Sequence, residues 1–345
     1  MRRTTNRSGS FKVRVGGGKS NPRQRIPKLI IWCLAIILLL SGFISLNNLN
    51  KWDGSNRLTV VLNSDPMAVF TIDPVKRQAY IAVIPEETML YVPYGYGEYK
   101  ASSVYKLGEL DKKRPAGVLL ERSVENSFDI LIDGYIATKG VSFPFPIKSS
   151  KDIAAYKSKY FSFLKLPGIA LGVFTGANTL DTNLTKMDLM RLYLSIASLR
   201  SDQIRLVNLG DRSVLRDDKL PDGTSVKVID TDILASVIQD NFQDQAIRTE
   251  NVTLEIVNAS GQNQLAGQFG KILRNIGANV LVTTTAQNDV SFACVIYFTK
   301  DSLKTSYIVT KLKKRYGCKI SEIGNSSDMS NQTDIQVVLG EDFVK

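Results

Sequence analysis

Eighteen consecutive residues, Leu29–Leu46 (LIIWCLAIILLLSGFISL), carry no charge. As a helix rising about 1.5 Å per residue, this run reaches about 27 Å, close to the hydrocarbon thickness of a bilayer. Ile, Leu and Trp fall on every face, so the run has no polar stripe to turn toward water. Before it, residues 1–28 hold nine Lys or Arg and no Asp or Glu. Basic residues stay on the cytoplasmic side of a membrane, which predicts a single-pass anchor with the tail inside and everything after Asn47 outside. A cleaved secretory signal has a shorter apolar core and small residues at its cut site. The stretch from Ser45 to Lys51 (SLNNLNK) offers no such pair, so an uncleaved signal-anchor is expected.

The anchor also accounts for the charge. The chain of 345 residues carries a formal +11, of which the tail supplies +9, leaving about +2 for everything that follows. A tail of this kind suits the anionic inner leaflet, and no helix-turn-helix pattern accompanies it, so nucleic acid is not an expected partner. Gly18-Lys19-Ser20 imitates the end of a phosphate-binding loop, but Val13 stands where that loop needs its first glycine. Residues 1–28 read as a disordered cytoplasmic tail.

The chain has no histidine and three cysteines. Ser-His-Asp triads, Cys-His pairs and His-containing zinc sites are thereby excluded. Cys33 lies in the apolar run. Cys294 sits in an apolar strand and Cys318 follows a helix. The pair can bridge in an oxidising exterior, although two buried thiols are the expected state. Chemistry is left to carboxylates, Lys or Arg, hydroxyls or a hard metal ion.

The exterior is long enough for two domains. After a polar linker at 47–56, Leu58–Leu62, Met67–Ile72 and Ala79–Ile84 read as three strands of a meander separated by Pro-containing turns. Val92–Tyr99 (VPYGYGEY) is a Gly/Pro loop rich in tyrosine. Helical patterns at Ala101–Leu110 and Pro115–Phe128 precede a strand near Ile130–Ile136. Thr185 and Asp188 make a helix-start box, and Ile204–Leu209 is a strand that closes the region. Residues 211–250 read as a linker with a helix starting at Asp230. From Val252 the expected order is strand, helix, strand, strand, helix, strand, strand. The fold class is therefore α+β, a mixed α/β chain with an α/β first domain at 57–210 and a small α+β domain at 251–345.

Val252–Gly261 (VTLEIVNASG), Leu265-Ala266-Gly267, Leu273, Ile276-Gly277 and Val338–Phe343 (VLGEDF) resemble the LytR C-terminal domain family. Asn258 and Gly261 suit a turn from strand to helix. Ala266 and Gly267 are expected to let the helix lie close on the sheet, and Gly277 to cap it.

The region before it resembles, at greater distance, the LytR-CpsA-Psr (LCP) family. Asn63–Met67 (NSDPM) stands at that family's Arg-Ser-Asp-Thr-Met, Ile72-Asp73-Pro74 at its Ile-Asp-Pro, and Ile84–Thr88 (IPEET) at its Ile-Pro-Arg-Asp-Thr. Lys100–Tyr105 (KASSVY), Val124-Glu125-Asn126 and Ile132–Tyr135 (IDGY) parallel further segments. The resemblance implies a membrane-anchored enzyme that moves glycopolymers from a polyprenyl pyrophosphate carrier to peptidoglycan outside the cell. That chemistry holds a pyrophosphate with guanidinium groups and Mg²⁺. Here Asn63 and Glu86 replace two of the family's arginines, and Phe174–Asn178 (FTGAN) stands where a later pair is expected.

Asp65 is the retained carboxylate, the weak catalytic candidate, and the residue that would hold Mg²⁺ if the site is active. Asn63, Asp65, Glu86, Glu87, Lys100, Tyr94 and Tyr96 are the candidate ligand-binding set, the tyrosines as sugar-stacking rings or as partial lids on a core. Val141–Ile147 (VSFPFPI) lines an acyl-chain groove or is a packed loop. The replaced arginines favour an envelope protein that binds wall polymer, lipid-linked glycan or a protein partner. An active glycopolymer phosphotransferase is the alternative, and a transcriptional attenuator, as the LytR label suggests, a third.

Overall fold

Strand formation in the first domain follows its β-branched runs. The computed structural model describes residues 50–345 except 140–141, 146, 148, 176–179, 213, 322–331 and 344–345. The basic tail and the apolar run lie outside the described residues, as do 176–178 of the FTGAN segment. Among the described residues no helix is long and apolar enough to cross a membrane.

The expected meander is present: β1 (Leu58–Leu62), the short β2 (Ser64–Asp65), β3 (Met67–Asp73) and β4 (Gln78–Ile84), with β3 antiparallel to both β1 and β4. A hairpin of β5 (Met89–Val92) and β6 (Gly97–Lys100) leads into helices α1 (Ala101–Leu110) and α2 (Ala116–Phe128). Next come β7 (Gly134–Thr138), β8 (Phe143–Pro144), α3 (Ser150–Tyr160), α4 (Leu166–Thr175), β9 (Leu180–Thr182), α5 (Lys186–Ser198) and β10 (Ile204–Asn208). Six strands form one sheet in the order β10-β4-β3-β1-β7-β9, with β7 parallel to β1, β10 parallel to β4 and β9 antiparallel to β7.

Period-two alternation divides this sheet's side chains between two cores. Val61, Val69 and Ala82 point to one face, with Val104, Leu119 and Leu120 of α1 and α2. Val60, Phe70 and Ile81 point to the other, with Ile153 and Leu192 of α3 and α5. All seven residues of β3 are buried, as a central strand covered on both faces must be. Helix α2 lies so close to β7 that a Cβ on Gly117 would fall 1.9 Å from the Tyr135 ring.

Residues 211–250, expected as a linker, are built into this body. A hairpin of β11 (Leu215–Lys219) and β12 (Ser225–Ile229) bridges to Thr88 through Lys227. Helix α6 (Thr231–Phe242) starts on an Asp230 cap and buries Leu234, Val237, Ile238 and Phe242 in the first core. The polar run that suggests a linker is the exposed face of β11. The apolar spacing of α6 carries the packing.

After α7 (Gln245–Glu250), the C-terminal domain runs β13 (Thr253–Ala259), α8 (Leu265–Asn275), β14 (Asn279–Thr285), β15 (Cys294–Phe298), α9 (Tyr307–Tyr316), β16 (Lys319–Ile320) and β17 (Ile335–Gly340). Its sheet order is β14-β13-β17-β15-β16. The Asn258 carboxamide stitches the β13–α8 turn, accepting from the Ser260 N–H at 3.2 Å and donating to the Gln262 carbonyl at 2.5 Å. Gly277 closes α8 at φ +102°.

Two expectations are corrected. Gly267 has nothing within 4 Å of where a Cβ would sit, so it allows no close approach; Gly270, one turn on, faces Thr283 at 3.0 Å. Cys294 and Cys318 form a disulfide rather than two buried thiols. The parallel pairing of β15 with β16 brings the ends of two segments 24 residues apart to a Cα separation of 4.4 Å.

Residues 50–56 are likewise docked. The backbone N–H groups of Lys51 and Trp52 each donate to the Asp188 carboxylate at 3.1 Å, and the Trp52 ring is buried in the second core. Asp188 also closes the capping box of α5 with Thr185. Asn50–Lys345 is one compact unit with its own apolar cores, the anatomy of an independently folding body.

Candidate functional site

Strand β1 runs out of the sheet into a turn, and the polarity of its lining changes there. Val60 and Leu62 face an apolar cavity of about 350 Å³; Asn63, Ser64 and Asp65, next in sequence, face a polar cleft of about 130 Å³. The opposing segment repeats the switch, with Ser142 in the cleft and Phe143 in the cavity. Backbone bonds from Phe143 N to the Asn63 carbonyl (3.4 Å) and from Phe145 N to the Asp65 carbonyl (3.0 Å) hold the two segments together. A polar pocket and an apolar one therefore share a wall.

The cavity lies between the sheet and helices α3, α4 and α5. Phe143, Phe145 and Ile147, from the segment read as groove or packed loop, line it. Tyr156, Phe161, Ile169 and Tyr193 close it on the helical side, with Lys157 the charged residue in the wall. Such a space suits hydrocarbon, since a buried polar group there would find few partners.

The cleft is acidic. Asp65, Glu86 and Glu109 line it, with Lys106 the one cation among its lining residues. A hydrogen bond to Asp65 and the nearby negative charge push the Glu86 carboxyl above its usual range. A raised carboxyl is a weaker ligand for a hard divalent ion, which is held by ionised carboxylates, commonly one or two with phosphate and water oxygens completing the shell. Among the described residues no group of three or more Asp, Glu, His or Cys is placed to hold a metal. Asp65 and Glu86 are the two carboxylates that would face an Mg²⁺ in the cleft, with the rest of its shell left to water or ligand oxygens.

Of the residues singled out in the sequence, Asn63, Asp65 and Glu86 meet in the cleft. The others do not line it. The Glu87 carbonyl accepts from the Lys227 N–H of β12 at 3.1 Å, and Lys100 pairs with Met89 at the end of the β5–β6 hairpin. The Tyr94 ring lies under the Arg114 guanidinium at 3.8 Å, and Tyr96 meets Asp111; burial and that carboxylate push its phenol up. Both tyrosines pack on the first core as partial lids.

In their place, α1 supplies Ser102, Tyr105, Lys106 and Glu109. The i, i+4, i+7 spacing of Ser102, Lys106 and Glu109 marks one polar helical face, a signal present in the sequence. Tyr105 leads further inward. Its hydroxyl donates to Asp181 at 2.7 Å, as does that of Tyr135 at 3.2 Å, and burial followed by the Asp181 charge pushes both phenols up. Asn183 then accepts from the Tyr135 N–H at 3.1 Å and donates to Glu121 at 2.7 Å. Glu121 pairs with Arg315 of the C-terminal domain.

Residues 251–343 match the family model described as LytR cell envelope-related transcriptional attenuator. The C-terminal domain is thus similar to the LytR C-terminal domain family. Its match spans both ends of the β13–β17 body. No curated protein matches the chain. Solved structures similar to it cover the LCP-like part. The crystal structure of B. subtilis TagV is 14% identical over 54% of this chain and 95% of its own, with a TM-score of 0.40. That of B. subtilis TagT is 16% identical over 54% and 89%, with a TM-score of 0.35. The LytR-CPS2A-psr family protein YwtF (TagT) with bound octaprenyl pyrophosphate lipid is 18% identical over 54% and 89%, also at 0.35.

Proposed function

We propose that this chain is a membrane-anchored, extracytoplasmic envelope protein whose first domain binds the apolar chain of a lipid-linked glycan without transferring it. The observation that carries the reading is the shared wall at Leu62–Asp65, where an apolar cavity meets an acidic cleft. An amphiphile with a hydrocarbon tail and a sugar-bearing head fits such a pair of spaces. The tail gains by leaving water, at about 0.8 kcal/mol per buried methylene. Glycan hydroxyls can donate to Asp65, Glu86 and Glu109. A bare pyrophosphate in the same place meets three carboxylates and one ammonium, and its transfer would lack the cationic clamp that such chemistry relies on. The basic tail and apolar run support the anchoring and orientation, and the LytR C-terminal domain supports the envelope setting.

The test is binding and turnover on purified residues 50–345 with a polyprenyl pyrophosphate-linked sugar. Native mass spectrometry is expected to show a one-to-one complex, with no release of phosphate or pyrophosphate in the presence of Mg²⁺. Turnover that Asp65→Ala abolishes would overturn the reading in favour of an active phosphotransferase.

A further inference from the structure

The outer side of the cavity's helical wall has an unusual composition. Helix α4 (LPGIALGVFT) holds ten residues without a charge, and the turn before it presents Leu164 at 92% exposure. Leu171 of α4 is 65% exposed, and Tyr160, Leu180 and Leu194 are each close to 40%. These five account for half of the large apolar side chains that stand exposed among the described residues. Tyr160, Leu164 and Leu171 follow one another along the α3–α4 segment, and Leu194 is on α5, which packs against α4 and whose Tyr193 hydroxyl bonds the Tyr160 and Ser162 carbonyls. Exposed apolar side chains concentrated on one pair of packed helices mark an interaction site.

Its rim is basic. Lys151, Lys159 and Lys165 are exposed, and Lys157 is half-buried with its ammonium on the Ala197 carbonyl at 3.1 Å. The one acid between residues 150 and 175 is Asp152, which is engaged in the capping box of α3 with Ser149. Exposed leucines ringed by lysines reproduce the two requirements of a helix that lies in a membrane interface: apolar side chains for the acyl boundary and cations for lipid phosphates. A protein partner would more often ask for several aromatic anchors and arginines; this patch has four leucines, one tyrosine and lysines.

We propose that the α3–α4 segment, residues 151–171, is a membrane-docking surface that seats on an anionic phospholipid bilayer, with Leu164 and Leu171 entering the headgroup layer. In that pose the helical wall of the cavity faces the lipid. The contact is separate from the cavity's ligand, because it rests on Leu164 and Leu171, which do not line the cavity.

The experiment is co-sedimentation of residues 50–345 with vesicles of phosphatidylglycerol and phosphatidylcholine, against vesicles of phosphatidylcholine alone. Binding is expected to the anionic vesicles and to weaken with salt. Leu164→Asp with Leu171→Asp should lower the affinity by roughly tenfold or more, since both apolar contributions are lost. Lys159→Glu with Lys165→Glu should abolish the preference for the anionic lipid. Leu110→Asp, at an equally exposed leucine on α1, should change nothing. Ile136→Trp, which fills the cavity from within, should leave vesicle binding intact; loss of binding in that variant would assign the lipid contact to the cavity and overturn the proposal. So would absence of binding to either vesicle, or a dimer that the double Asp variant dissolves while vesicle binding persists.

Discussion

Arg315 Nη2 of α9 lies 2.7 Å from Glu125 Oε2 of α2, and the two side chains are buried at 8% and 2% exposure. The same guanidinium pairs with Glu121, and Glu125 also accepts from the Tyr316 hydroxyl at 2.6 Å and Arg122 at 3.0 Å. Nearby, Lys311 reaches Asp133 at 3.1 Å, and the Asn275 side chain donates to the Asp129 carbonyl at 2.8 Å. The C-terminal domain is thus bolted to the first one by buried charge and is not carried on a flexible tether.

Glu125→Ala leaves Arg315 in the interface with half of its compensation. Removing one partner of a buried pair costs about 3–5 kcal/mol. Burial pushes the Glu125 carboxyl up, but Arg315, Arg122 and the Tyr316 hydroxyl outweigh it and hold it below its usual range. Its folded pKa is depressed, so its stabilisation is present above the unfolded value and lost as pH falls through the folded one. Urea midpoints should therefore drop below about pH 4.3 in the parent, and drop less in Glu125→Gln. Equal acid sensitivity of the two proteins would contradict this.

The cleft makes the opposite prediction. Glu86 is raised by its hydrogen bond to Asp65 and by that residue's charge. A raised carboxyl contributes stability below its unfolded pKa and loses it as pH climbs through the folded one. Carboxyl-carbon NMR should show Glu86 titrating above the ordinary glutamate range, and Asp65→Asn should return it to that range. A titration unchanged by Asp65→Asn would remove the pair.

Reducing the Cys294–Cys318 bridge releases a loop whose ends are 24 residues apart. Loop-closure entropy predicts a loss of about 3 kcal/mol. Calorimetry with and without reductant should show the melting temperature falling in the parent and staying constant in Cys294→Ala with Cys318→Ala.

Gly117→Ala places a methyl carbon against the Tyr135 ring, so helix and strand must separate. Overpacking of this kind costs about 1–3 kcal/mol. Because Tyr135 shares Asp181 with Tyr105, the variant should also perturb the cleft, readable as a change in Tyr105 ring shifts.

The strands of both domains were legible because β-branched runs between turn residues have few other uses, and the caps at Asp188 and Asp230 because short polar side chains serve orphan N–H groups. The cleft was half legible. Asn63, Asp65 and Glu86 come from loops with a motif, but Lys106 and Glu109 reach it only through the rotation of α1 on its core. The disulfide escaped because two apolar surroundings say nothing of how β15 and β16 pair. The most informative miss concerns Glu125 and Asp133. They sit in segments that resemble a catalytic family, yet in this chain their carboxylates face Arg315 and Lys311 of the second domain. Sequence likeness identified the positions, and only the packing of α9 revealed their partners.

The attachment of Lys51 and Trp52 to Asp188 has a mechanical meaning. A tensile load on the N-terminus cannot spool out residues 51–56 as slack; it arrives at once on two parallel N–H bonds to one carboxylate, which also caps α5. Force is thus delivered to the helix that forms one side of the apolar cavity. Strain at that tie is therefore strain on one wall of the cavity, so the grip of the wall on its contents is coupled to tension in the segment before it.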